Sequence, residues 1–68
     1  MNKAKLEFEM KIRGLSHGEM CKKLGMSRSA FYRKCNGLSE FTLSEIQAIV
    51  DILRLDTPVG IFFSAQVS

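Results

Sequence analysis

The stretch Ser27 to Gly37 reads SRSAFYRKCNG and combines two arginines, a lysine, two serines, a tyrosine and an asparagine. Only Ala30 and Phe31 among its leading residues could hold it against a core. Guanidinium, ammonium and hydroxyl groups at this density are hydrogen-bond donors without a reacting centre. They make either a solvated helix face or a surface for a polyanion.

No competing chemistry stands elsewhere. The chain lacks a glycine-rich phosphate loop, a nucleophile elbow and an H-E-x-x-H pair, and its seven acidic residues are scattered, so no enzyme is expected. Cys21 and Cys35 form no C-x-x-C unit. With His17 they offer three mixed ligands where a structural zinc takes four, so both are expected as small packing residues, with no metal or cofactor.

Sixty-eight residues make one small domain with room for a single core. Hydrophobic residues are 46% of the chain and charged residues 25%, as in a folded protein, and no apolar run approaches the length that spans a bilayer. The leading MNKAKLEFEMKIRG has neither the apolar stretch nor the cleavage site of a signal peptide, which predicts a cytoplasmic protein. Charge is segregated. Residues 1–37 hold nine Lys or Arg against three Glu, while residues 38–68 hold one Arg against four acids. The first half therefore carries a positive field suited to nucleic acid or an anionic membrane surface.

The elements that must position these groups are short helices. In Lys3 to Arg13, Leu6, Phe8, Met10 and Ile12 alternate with polar residues as in a strand, yet Lys, Glu, Leu and Met favour a helix, and Gly14 ends it. Ser16 with Glu19 forms a capping box, so a second helix starts at His17 and stops at Gly25. Ser27 caps a third helix to about Cys35, ended by Asn36-Gly37. Thr42 with Glu45 repeats the capping box before Leu43, Ile46, Ile49, Val50 and Leu53, the clearest helical period in the chain. Thr57 as cap and Pro58 as first helical residue predict a last short turn through Ile61, Phe62 and Phe63. The expected core is Met20, Leu24, Met26, Phe31, Leu43, Ile46, Ile49, Val50 and Leu53. The expected fold is all-α, with four to five short helices in one domain.

Leu15 to Gly37 resembles the helix-turn-helix of the lambda-repressor and Cro family of transcription regulators. Met20, Cys21, Leu24, Gly25, Met26, Ser27, Phe31 and Asn36-Gly37 match that pattern position by position. Cys21 stands where the family usually has alanine, and His17 where it often has glutamine. FTLSEIQAIVDILRL is similar to the fourth helix of such domains, and IFFSAQV to the tail of small phage Cro-like proteins. The resemblance implies a lambda-repressor-like domain, with the motif proper at 16–36, encoded by a bacterium or phage. It would bind duplex DNA and regulate transcription, acting as a repressor of the Cro type. An antitoxin or recombination accessory protein on the same fold, and a protein-interaction module without DNA contact, are the alternatives.

With the third helix in a major groove, Arg28, Ser29, Tyr32 and Arg33 are the residues able to reach base edges. Tyr32 could instead cover the edge of the core. Ser16, His17 and Asn36, at helix ends, are candidate phosphate contacts, with Lys34 beside them and Lys22 and Lys23 adding to the general field. One such module reads few base pairs, so a weak or DNA-assisted homodimer on a two-fold symmetric operator is expected. Ile61, Phe62 and Phe63 are the candidate contact between copies.

Overall fold

A computed structural model describes residues 1–62. Each of its first four helices begins where a side chain accepts a free backbone N–H: Asn2 before α1 (Lys3–Ile12), Ser16 before α2 (His17–Leu24), Ser27 before α3 (Arg28–Cys35) and Thr42 before α4 (Leu43–Leu53). Both capping boxes form, with Glu19 and Glu45 returning to the backbone N–H of Ser16 and Thr42 at 3.0 and 2.9 Å. A single turn, α5 (Val59–Phe62), completes the all-α fold, and no strand occurs among the described residues.

The first four helices also end alike. The N–H of Leu15, Met26, Leu38 and Leu55 donates back to the carbonyl of Met10, Cys21, Arg33 and Val50, each five residues earlier. This closure needs a left-handed residue just before the donor. Glycine supplies it at Gly14, Gly25 and Gly37, but after α4 it is Arg54, at φ 54°. Leu15, Met26 and Leu55 then fold onto the core, whereas Leu38 is exposed.

All five helices contribute to that core: Leu6 and Met10, Met20 and Cys21, Phe31 and Cys35, Ile49 and Leu53, and Ile61. Both cysteines are free and buried, as packing residues, and burial pushes the Cys35 thiol up to about 11. The last turn departs slightly from expectation. Pro58 precedes the helix, its carbonyl accepting from the N–H of Ile61 and Phe62, while Thr57 Oγ1 accepts from Val59 N–H at 3.3 Å. Asn2 N–H donates to the Ile61 carbonyl and ties the two ends of the described chain together. No described helix is long and apolar enough to cross a membrane.

One apolar reading needs correction. Leu43, expected in the core, is 79% exposed. The buried stripe of α4 runs through Ile46, Ile49 and Leu53, and at 100° per residue Leu43 points about 90° from its centre. Val50, on the same flank, is half-buried, as are Leu24 and Met26. The strand-like alternation of α1 belongs to a helix with apolar residues on two opposite sides: Leu6 and Met10 face the core, while Phe8 and Ile12 face solvent.

Candidate nucleic-acid interface

The surface is built by α2, α3 and the turn Gly25-Met26-Ser27. Buried Met20 and Cys21 form the inner side of α2, buried Phe31 and Cys35 that of α3. Phe31 is 1% exposed, with the rings of His17 and Phe41 edge-on at 5.5 and 6.0 Å. That anchor sets the rotation of α3. Ser29, Tyr32 and Arg33 consequently share one outward arc of about 100°, opposite Phe31 and Cys35, and all three are exposed.

Arg28 is exposed too but lies about 60° from Phe31 around the helix and is turned onto α2. A Cβ built on Gly18 would meet its Nη2 at 2.6 Å. Glycine in the first turn of α2 thus leaves room for a guanidinium beside that helix's positive end, where Ser16 and His17 also stand. Ser16 accepts the Glu19 N–H at 3.1 Å and keeps its own O–H to donate outward. Its backbone N–H, bonded to the Glu19 carboxylate, holds that carboxyl below the usual range. His17 Nε2 lies 3.1 Å from Glu7 Oε2 of α1.

The far end of α3 is occupied differently. Asn36 Nδ2 donates to the Tyr32 carbonyl at 2.8 Å, and its Oδ1 accepts from Lys3 Nζ at 3.0 Å. Lys34, expected on a phosphate, turns inward: its ammonium lies 2.6 Å from Glu45 Oε1 and 5.9 Å from the centre of the Phe41 ring. The charge is spent on the cap of α4. Of the residues expected between copies, Ile61 is buried in the chain's own core and Phe62 is half-buried, edge-on to Phe41 at 5.4 Å. Phe63 lies outside the described residues.

Lys3 and Glu7 were not legible as part of this surface. They stand at i, i+4 on α1, and only the tertiary fold brings them to His17 and Asn36.

Comparison with known families matches residues 9–59 to the helix-turn-helix domain. The chain belongs to that family. No curated protein and no solved structure matches it. A helix-turn-helix domain points to DNA binding and transcriptional regulation in general, and here the second helix of the motif carries the exposed donors.

The Lys34–Glu45 pair should make this helix-turn-helix domain acid-sensitive. Lys34 first, then the Thr42 N–H, holds the Glu45 carboxyl below its usual value. A carboxylate so depressed contributes stability that is complete above its unfolded pKa and disappears as pH falls toward the folded one. The melting temperature should therefore drop between about pH 5 and pH 3. Glu45→Gln should melt lower at neutral pH and show a flatter acid limb in circular dichroism; an unchanged acid limb would remove the pair from that role.

Proposed function

We propose that this chain binds duplex DNA sequence-specifically and regulates transcription as a small Cro-like repressor, by occluding a promoter. The observation that carries the reading is the outward arc of Ser29, Tyr32 and Arg33 on a helix whose rotation Phe31 holds. A helix of this length enters a major groove, where arginine meets guanine in bidentate fashion and a tyrosine ring meets a thymine methyl or a sugar. Arg28, Ser16 and His17 cluster at the start of α2 and serve a phosphate. Asn36 positions Lys3 for a second phosphate beyond the end of α3. Two copies on half-sites about 34 Å apart supply the specificity that one module lacks.

Selection of bound sequences from random duplex DNA tests this. The expected product is a recurrent motif with two-fold symmetry. Should no sequence bind more tightly than bulk DNA at any salt concentration, the regulator reading fails and a protein-interaction module takes its place.

A further inference from the structure

The outer side of α1 is unusual for a surface helix. Ala4, Phe8 and Ile12 recur every four residues on the side opposite Leu6 and Met10, and Phe8 and Ile12 are 58% and 59% exposed. A helix apolar on two sides is normally covered on both. We propose that a second copy of this chain covers it, through an antiparallel α1–α1 pairing centred on Phe8.

The charge pattern fits that occupant, and the placement of the DNA-facing flank fits that direction. Lys3 to Arg13, KAKLEFEMKIR, reads the same in side-chain type from either end, with glutamates flanking Phe8 and cations outside them. Under a two-fold axis through Phe8, the same flank of each helix meets itself in reverse. Lys11 then lies about 3 Å along the axis from Glu7 of the second copy, and Lys5 the same distance from Glu9 of the second copy. A parallel pairing would set the Glu7–Lys11 flank against the Lys5–Glu9 flank of the second copy, with the same match of charges but with His17 and Asn36 of the two copies on opposite sides. Within one chain Lys5 and Arg13 already partner Glu9, at 3.7 and 2.5 Å. Lys11 makes no side-chain hydrogen bond or ion pair among the described residues, and so stands free for Glu7 of the second copy.

The geometry also suits DNA. The Glu7–Lys11 flank is the one beside His17 and Asn36. A two-fold axis normal to the plane of the paired helices puts that flank of both copies on one side, so both recognition helices face the same way. This deepens the two-copy part of the reading above and rests on it only for the use of the pairing, not for its existence. Contact along one helix falls at the small end of specific interfaces, under roughly 1,200 Å2, so the pairing is weak in solution.

Sedimentation without DNA, over micromolar to millimolar concentrations, should show a monomer–dimer equilibrium. Phe8→Ser and Lys11→Glu should each weaken it roughly tenfold or more. Glu7→Lys combined with Lys11→Glu should restore it, because exchanging both charges preserves the match. Under oxidation Phe8→Cys should give a covalent dimer, since facing Cα atoms in packed helices come within disulfide reach. Cys21 and Cys35 are buried and do not compete, and Leu43→Cys, exposed elsewhere, should give no covalent dimer. A chain that is monomeric at every concentration and gives no cross-link overturns the pairing, as does a dimer indifferent to Lys11→Glu. Binding to a single half-site, measured separately, shows whether the DNA reading stands without it.

Discussion

Phe31→Ala should remove a large share of the chain's stability. Removing a fully buried phenylalanine costs about 3–5 kcal/mol. A domain of this size is stable by only roughly 3–10 kcal/mol in total. The loss falls on one place: Phe31 is the ring on which α3 turns, held edge-on by His17 of α2 and by Phe41 before α4. Circular dichroism against urea and temperature reads the effect. Leu43→Ala, at an exposed leucine of the same stretch of chain, should change stability by no more than about 0.5 kcal/mol. A Phe31→Ala chain with a cooperative melt within a few degrees of the parent would show that α3 is held by something other than this ring.

DNA affinity should fall roughly a hundredfold per copy between about 50 and 200 mM salt, the loss expected when some four phosphates are neutralised and their counterions released. Against that background the two arginines of α3 should separate. Arg33, on the outward arc, should on replacement by alanine relax preference at one base-pair position and cost about 1–3 kcal/mol there. Arg28, turned onto Gly18, should on replacement weaken all sequences alike and reduce the salt slope by about one. Gly18→Ala sharpens the comparison. It removes a helical glycine, a gain of up to about 1 kcal/mol, while displacing the Arg28 guanidinium. A more stable chain that binds every sequence less well is the expected result in fluorescence anisotropy. Equal behaviour of Arg28→Ala and Arg33→Ala at every base position would make both of them phosphate contacts.

Much of this protein is written in runs of four to six residues. Ser16 with Glu19, Thr42 with Glu45, Ser27, and the glycines at 14, 25 and 37 set the limits of the helices, because capping and left-handed closure join groups that are neighbours in the chain. Ser29, Tyr32 and Arg33 were readable for the same reason: once Phe31 is taken as the inward residue, helical geometry decides what points out. Arg54 escaped such reading because a left-handed cap without glycine carries no local mark, and Leu43 because its period fitted the stripe while its angle did not.

What only the tertiary structure decided are the pairings across distance. Lys34 could have met a phosphate, but α4 brings Glu45 to it; Arg28 could have extended into a groove, but Gly18 makes room for it on α2. Ile61 could have served a second copy, but it is buried in the chain's own core. In each case the side chain's chemistry was visible beforehand and its partner was not. A partner ten or thirty residues away is chosen by how the helices pack, and that choice is made by the whole core at once.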